Sequence, residues 1–120
     1  MIDKLKHFTV RENGVDVEYP VAFDINVLEE LQEKYGSVDE VKNILEPSDG
    51  KEVKLKDLKF VFLIMINEGI DIENEEKKTD RKFITDKKVG RLLTEAGIKN
   101  MSNQLKDVII TSNNSNEEKN

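Results

Sequence analysis

Two short segments of alternating apolar residues, separated by Asn13 and Gly14, constrain the fold of this chain more than any other feature. Phe8 and Val10 alternate with polar residues before the Asn-Gly pair, and a valine or an aromatic residue occupies every second position from Val15 to Phe23. A period of two is typical of a half-buried strand, and Asn-Gly tolerates the positive φ angles of a tight hairpin turn. The sequence therefore predicts an N-terminal β-hairpin. Because a two-stranded hairpin is marginally stable alone, other elements or a partner must cover its apolar face.

Five helices are predicted after the hairpin, from spacings of three and four residues between apolar positions and from capping residues. They run from the predicted cap Asn26 to Gly36, from the predicted cap Ser37 to Pro47, from about residue 55 to 68, from the predicted cap Thr85 to Gly97, and onward from the predicted cap Asn100. The last helix has an apolar stripe formed by Met101, Leu105, Val108 and Ile109.

The third of these helices contains the most apolar run of the chain, residues 60–66, which is short enough to be a strand or a helix. Helical spacing of Leu55, Leu58, Phe62 and Met65 favours a helix, and Gly69 is suited to the position just after its end. Residues 70–82 are charged and predict a loop.

These elements define an α+β protein with the hairpin packed on a small bundle of about four to five helices. We expect one domain over residues 1–110, because 120 residues provide a single core of ordinary size. No apolar residue occurs in residues 111–120, so this segment predicts a disordered polar tail.

Composition excludes several kinds of chemistry. The chain has no Cys and a single His, His7, which leaves no thiol nucleophile and no zinc site with Cys or paired His ligands. The acidic string in residues 71–76 departs from the EF-hand pattern, and the glycines lack the clustering of a phosphate-binding loop. We therefore expect no enzymatic activity, no metal and no cofactor, and we expect His7 to be a surface residue. The absence of Cys fits a reducing cytosol.

Net charge limits the partners. A formal charge of −6 disfavours broad attraction to nucleic acid or an anionic membrane. The longest apolar run has seven residues, whereas a membrane-spanning helix needs roughly 20. Neither a membrane nor nucleic acid is therefore an expected partner.

Charge is nevertheless segregated along the chain. Residues 77–91 contain seven basic and two acidic side chains, and residues 68–76 contain five acidic and no basic ones. This basic segment could dock nucleic acid, bind the acidic surface of another copy in a homo-oligomer, or be neutralised by acidic groups of the same molecule. The third interpretation is slightly favoured by the sequence.

The order of these segments resembles the tail assembly chaperones of long-tailed bacteriophages and prophages. The resemblance is carried by VDVEYPVAFD at residues 15–24, by INVLEELQEKYGSVDE at residues 25–40, by the apolar helix from Leu58 to Gly69, and by TDKKVGRLL at residues 85–93 after a charged loop. It covers roughly residues 13 to 110.

The resemblance implies a non-enzymatic factor that binds the tape measure protein, keeps it soluble, and helps tail tube subunits polymerise around it. It implies action in the cytoplasm of the bacterial host and absence from the mature virion. The tail tube protein and a longer, frameshifted form of the same chain are further implied partners. No site residues carry over, because the family has no catalytic motif.

Candidate residues for partner binding come from the residues themselves. Phe60 and Ile64 lie on a second face of the apolar helix, where they could receive a helical client or simply belong to the core. Lys87, Lys88 and Arg91 are candidates for electrostatic association. Two other kinds of protein remain open: a structural tail or head–tail connector component of the virion, and a small phage regulator that binds DNA or a host protein.

Overall fold

The Asn-Gly turn joins two antiparallel strands, β1 (Lys6–Glu12) and β2 (Val15–Val21), in the computed structural model of the chain. The structure describes the backbone of residues 5–48 and 50–118 and the side chains of residues 5–48 and 50–111. Five helices follow: α1 (Ile25–Tyr35), α2 (Asp39–Leu45), α3 (Leu55–Lys77), α4 (Asp86–Ala96) and α5 (Ile98–Glu118). The predicted α+β architecture is confirmed.

The hairpin has the register that its sequence predicts. Asn13 and Gly14 have φ angles of 51° and 82°, and Glu12 pairs with Val15 at the start of the ladder. Phe8 and Val10 are buried, while His7 lies on the exposed side. The hairpin therefore presents one apolar face, which packs against the helices.

The apolar run of residues 60–66 is helical, as predicted, but α3 continues to Lys77, well beyond the predicted end near residue 68. The prediction of a loop over residues 70–82 is therefore wrong for residues 70–77. Ile70 is fully buried, and Lys78 ends the helix with a left-handed φ of 55°. Most of the charged residues after Gly69, namely Asp71, Glu75, Glu76 and Lys77, form the exposed side of an amphipathic helix whose other side contains the buried Ile70.

Gly69 lies inside α3 and does not end it. A Cβ built on Gly69 would come within 2.5 Å of the Pro20 carbonyl carbon and oxygen. One turn earlier, the Met65 carbonyl accepts a 3.1 Å hydrogen bond from the Ala22 N–H. The helix backbone thus lies directly against the end of β2, and this close approach requires a residue without a side chain.

Side-chain capping marks the start of two of the helices, α1 and α4. The predicted cap Thr85 is confirmed, since its side chain accepts a hydrogen bond from the Lys88 N–H. For α1, however, the cap is Asp24, which accepts from the Val27 N–H at 3.1 Å, whereas the predicted cap Asn26 lies in the first turn. Neither Ser37 nor Asn100 occupies a cap position: α2 is preceded by Val38, and α5 begins at Ile98.

Two asparagines of α3 hold the segment that leads into α4. The Asn67 amide accepts from the Ile84 N–H at 2.8 Å and donates to the Ile84 carbonyl at 3.1 Å. Asn74 makes the same two kinds of bond with the N–H and the carbonyl of Arg81, both at 2.9 Å. These paired bonds satisfy backbone groups that have no helix or sheet partner, and they fix the segment along α3.

One hydrophobic cluster contains buried residues from both strands and all five helices, with α3 at its centre. Phe8 of β1 lies against Phe62 of α3 with ring centroids 5.8 Å apart. The backbone of α5 is helical over most of residues 111–120, the segment for which a disordered tail is predicted. The side chains from residue 112 onward and residues 119–120 lie outside the described part of the chain, and the tail stays a prediction.

Candidate partner-binding surface

The five predicted partner-binding residues occupy four different environments on α3 and α4. Ile64 is 8% exposed and belongs to the core, so it offers little surface to a client. Phe60 is half-buried at the edge of the core. Lys87 and Arg91 are exposed on α4, while Lys88 is half-buried and turned toward the hairpin.

Phe60 lies at the junction of α1 and α3, against Tyr35. The two rings meet edge to face with centroids 6.1 Å apart, and the Lys34 Nζ lies 4.5 Å from the centroid of the Phe60 ring. The Tyr35 hydroxyl donates to Asp57 at 3.1 Å. Burial is the larger cause and the hydrogen bond to Asp57 the smaller cause of a pKa of Tyr35 that is raised above its ordinary value. The Tyr35 hydroxyl therefore keeps its proton and donates this bond at neutral pH. An aromatic surface with a cation above it therefore lies at this edge of α3.

A shallow basic groove lies on the other side of α3, where α3 meets α4. Its lining is contributed mostly by one face of α4, at a helical spacing of three and four residues, together with one lysine of α3: Lys59, Lys87, Gly90, Arg91, Thr94 and Glu95. Lys59 is held by Asp86, with Nζ and Oδ2 2.9 Å apart. Three cationic side chains thus surround a groove in a protein whose net charge is −6.

Helix geometry connects Phe60 with this groove. Lys56, Lys59, Phe60 and Leu63 are three or four residues apart or adjacent on α3, which places them on neighbouring faces of the same two turns. Lys56 is exposed, and the other three are half-buried. The exposed side of α3 between α1 and α4 is therefore aromatic at one border and cationic at the other. We call this surface the α3 face. It consists of Lys56, Lys59, Phe60 and Leu63 of α3, with Lys34 of α1 at one border and Lys87 and Arg91 of α4 at the other.

Lys88 is neutralised within the protein. Its Nζ lies 2.5 Å from Oε1 of Glu12, and the other oxygen of Glu12 accepts from the Tyr19 hydroxyl. Burial alone would raise the pKa of Glu12, but the hydrogen bonds from Lys88 and Tyr19 outweigh it and leave that pKa below the ordinary value. This network joins α4 to both strands, so Lys88 has a structural role.

Two further basic residues of the segment 77–91 meet Glu73 on α3. The Glu73 carboxylate, whose side chain is only 14% exposed, lies 3.5 Å from the Lys77 Nζ and 3.8 Å from an Arg81 Nη1. His7 of β1 adds a contact at 3.2 Å. Burial opposes ionisation of Glu73, yet the His7 hydrogen bond and the Lys77 charge lower the pKa of this carboxyl. Acidic groups of the same molecule thus neutralise part of the basic segment, which is the interpretation that the sequence slightly favours.

An acidic pair links the start of α1 to α3. Glu68 shares a hydrogen bond with Asp24 and accepts one from the Asn26 amide at 3.0 Å. The bond with Asp24, together with burial, raises the pKa of Glu68 to about 7. The neighbouring carboxyl group of Asp24 is the main cause of this shift, because a negative charge on Glu68 is disfavoured beside another carboxylate.

The described residues offer no group of three or more His, Cys, Asp or Glu side chains that could hold a metal ion. None of the helices in the described range is long and apolar enough to cross a membrane.

Sequence reasoning missed Lys34 and Lys59, which complete the α3 face. Each is one lysine among many, and its role depends on which helix packs beside it. The spacing of seven residues between Asn67 and Asn74 could have indicated that both lie on one side of a helix that continues beyond Gly69.

Comparison with models of known protein families finds no matching family, and comparison with curated proteins and with solved structures finds no similar chain.

Proposed function

We propose that this chain is an assembly chaperone for the tails of a long-tailed bacteriophage or prophage. In this role it binds the tape measure protein, keeps it soluble, and assists tail tube assembly in the cytoplasm of the bacterial host, and it is absent from the finished virion. The proposal rests on the order of elements that carries the resemblance: hairpin, α1 directly after Phe23-Asp24, short α2, apolar α3, and α4 after a charged segment.

The α3 face is the surface that we assign to the client. Phe60 supplies apolar area at the α1 border, and Lys87 and Arg91 supply positive charge at the α4 border. A client that satisfies both is an amphipathic helix with apolar side chains for Phe60 and carboxylates for α4, which is the helix-in-groove mode of recognition. Ile64 and Lys88 are left out of the client site, because Ile64 is buried and Lys88 is bound to Glu12.

The test is co-expression of the chain with the tape measure protein of the same locus, followed by measurement of how much tape measure protein is soluble and co-purifies. Phe60→Asp should abolish co-purification, since a carboxylate cannot bury against an apolar client. Phe83→Asp is the matched control, because Phe83 is 57% exposed and lies outside the α3 face.

Charge reversal tests the other border of the face. The double variant Lys87→Glu/Arg91→Glu should weaken co-purification, whereas Lys51→Glu/Lys54→Glu changes the net charge equally at exposed positions outside the face. Circular dichroism of each variant confirms folding. If Phe60→Asp and the double reversal both retain the client while folded, the α3 face is not the client site. If the folded wild-type chain does not bind the tape measure protein at all, the proposed function is wrong.

A further inference from the structure

Only one of the two edges of the hairpin is open to a further strand. Pro20 removes an N–H from the outer edge of β2, and α3 packs against that edge at Gly69. The outer edge of β1 contains no Pro, and His7, Thr9 and Arg11 are exposed along it. An exposed edge of this kind is a template for pairing with another strand.

The outward backbone groups of β1 belong to His7, Thr9 and Arg11. A two-residue turn closes on a hydrogen-bonded pair, here Glu12–Val15, and hydrogen-bonded pairs then alternate with non-hydrogen-bonded pairs along the ladder. His7, Thr9 and Arg11 fall on non-hydrogen-bonded pairs, so their N–H and C=O groups point away from β2.

The contacts of β2 agree with this alternation. Pro20, which has no N–H, occupies an outward position, and the Ala22 N–H, two residues later, donates outward to the Met65 carbonyl at 3.1 Å. Within residues 5–48 and 50–118, no backbone–backbone hydrogen bond outside the hairpin uses the outward groups of β1. These groups are therefore available to a third strand.

We propose that the β1 edge pairs with the β1 edge of a second copy of this chain, about a two-fold axis at Thr9, and joins two hairpins into a four-stranded antiparallel sheet. His7 and Arg11 lie two residues on either side of Thr9. Antiparallel pairing about Thr9 therefore sets every outward backbone group opposite an outward group of the second copy. The hydrogen-bonded pairs are Thr9 with Thr9 at the axis and His7 with Arg11 on both sides of it.

The helix-covered side of β1 is complementary to itself in this register. Its side chains run from Lys6 through Phe8 and Val10 to Glu12, which is from a cation through two apolar residues to a carboxylate. Pairing about Thr9 places Lys6 opposite Glu12 of the second copy and Phe8 opposite Val10. These are non-hydrogen-bonded pairs, in which opposite side chains lie closest together.

Lys6 and Glu12 can meet without loss of the contacts within either chain. Lys6 is exposed at the start of β1. The Glu12 carboxylate accepts from Lys88 and Tyr19, which leaves part of its about four acceptor sites unused. The Lys6 ammonium of the second copy can therefore join Glu12 while Lys88 stays in place.

The exposed side of the sheet does not oppose this pairing. His7 comes opposite Arg11 of the second copy, but the His7 ring has Glu73 at 3.2 Å and the Arg11 guanidinium has Asp16 at 3.2 Å, so each cation is already neutralised within its own chain. Glu18 lies opposite Thr9 within the hairpin, and the two Thr9 residues at the axis separate the two Glu18 carboxylates.

Other registers lose these matches. A shift of two residues in one direction places Phe8 opposite Glu12, and a shift in the other direction places Lys6 opposite Val10, so a charge replaces an apolar neighbour in both cases. The assembly also ends at two chains, because the β2 edges on both sides of the four-stranded sheet are closed by Pro20 and α3.

The first test is the mass of the purified full chain in sedimentation equilibrium over a range of concentrations, with no client present. The wild-type chain should dissociate reversibly from a species of twice the chain mass of 13.8 kDa. Thr9→Pro removes an outward N–H at the axis without removing a β1–β2 bond, so it should be folded and monomeric. Thr9→Val keeps the N–H and a β-branched side chain, and it should remain dimeric.

The second test concerns the register. Lys6→Glu sets two carboxylates opposite each other at both ends of the paired strands and should raise the Kd of the dimer by about tenfold. Lys51→Glu makes the same change of net charge at an exposed position outside β1 and should leave the Kd nearly unchanged.

Cross-linking locates the axis, because the chain has no Cys of its own. Two Thr9→Cys chains would hold their thiols one strand spacing apart, about 5 Å, whereas two Glu18→Cys chains would hold theirs three spacings apart, about 14 Å. A thiol-reactive cross-linker of intermediate length should therefore join Thr9→Cys chains and leave Glu18→Cys chains unlinked.

Four results would overturn the proposal: a wild-type chain that is monomeric at every concentration, a folded Thr9→Pro that remains dimeric, equal effects of Lys6→Glu and Lys51→Glu on the Kd, or equal cross-linking at both Cys positions. A monomer whose Thr9 amide is nevertheless protected from hydrogen exchange would show that another segment of the same chain covers the edge, and it would overturn the proposal as well.

The dimer is independent of the proposed function, because the β1 edge and the α3 face are formed by different elements. The dimer should persist in Phe60→Asp and in Lys87→Glu/Arg91→Glu. An oligomer held together by the basic segment of residues 77–91 would instead be weakened in the second of these variants. The β1 pairing and the binding of the tape measure protein can therefore fail or stand separately.

Discussion

Substitution of Gly69 by Ala should destabilise the protein, and the size of the effect follows from the contact between α3 and β2. The added Cβ would lie 2.5 Å from the Pro20 carbonyl carbon and oxygen and 2.6 Å from the Val21 nitrogen. Ordinary contacts between heavy atoms are about 3.5–4.0 Å, so α3 and β2 must separate by about 1 Å. All three of these atoms belong to the backbone, so they cannot move away as the end of a flexible side chain can.

Two effects oppose each other in this variant. Ala favours a helix interior over Gly by about 1 kcal/mol. Overpacking costs about 1–3 kcal/mol, and stretching the Ala22–Met65 hydrogen bond removes about 1 kcal/mol more. We therefore expect the free energy of unfolding to fall by about 1–3 kcal/mol, a large part of the stability of about 5–15 kcal/mol that is usual for a domain.

Gly90→Ala is the matched control, since Gly90 also lies inside a helix. There the nearest atoms to an added Cβ are the Lys59 Nζ at 3.6 Å and Cε at 3.7 Å, both at the end of a flexible side chain. Only the helix preference remains, so this variant should be more stable by about 0.5–1 kcal/mol. Urea denaturation followed by circular dichroism measures both. A Gly69→Ala protein as stable as the wild type would refute the close contact of α3 with β2.

Three smaller predictions concern the polar contacts. In the folded protein the pKa of Glu68 is about 7, which lies above the ordinary 4.5. The contribution of Glu68 to the free energy of unfolding is therefore fully present below pH 4.5 and is lost as the pH rises through 7. Between pH 5 and pH 8, Glu68→Gln should therefore gain about 1 kcal/mol of stability relative to the wild type, a value reduced by solvent screening of this half-exposed group. Thermal melts of both proteins at pH 5 and at pH 8 measure whether the difference has this sign. Asn67→Ala leaves the Ile84 N–H and carbonyl without their partner, so it should lower the free energy of unfolding measured by urea denaturation by about 2 kcal/mol. Asn43→Ala, on the exposed side of α2, is the control and should change it by less than about 0.5 kcal/mol. Thr85→Ala removes the cap of α4 and should cost about 1 kcal/mol in the same assay; no loss would show that the Lys88 N–H bond contributes nothing.

Local signals were sufficient for much of the fold. Asn13-Gly14 fixes the hairpin through its own backbone preference, and Thr85 caps α4 through a bond to a residue three positions away. The stripe of α5 is likewise confirmed by the burial of Met101 and Leu105. In each case the residues that determine the structure are close together in sequence.

The failures have a common physical cause, which is dependence on distant residues. Gly69 has the sequence context of a helix end, and only the approach of Pro20, 49 positions earlier, shows why Gly is required there. The acidic residues that follow suggested a loop, because nothing local shows that Glu73 has His7 and Arg81 as partners.

The candidate site was predictable only in part for the same reason. The sequence indicated that residues 60–64 and 87–91 matter, but it could not separate exposed from buried members. Ile64 faces the core, and Lys88 is paired with Glu12, 76 positions away. Conversely, Lys34 was missed because its contact with Phe60 depends on how α1 packs against α3.

Affinity capture of the intact chain from cells that carry its native locus, compared with mass spectrometry of purified particles from the same cells, tests the proposed chaperone function. We expect the tape measure protein to co-purify with the wild-type chain and with Phe83→Asp, to be lost with folded Phe60→Asp, and the chain to be absent from the particles. Recovery of the chain as a stoichiometric component of the particles, or capture of tube or connector subunits without the tape measure protein, would contradict it.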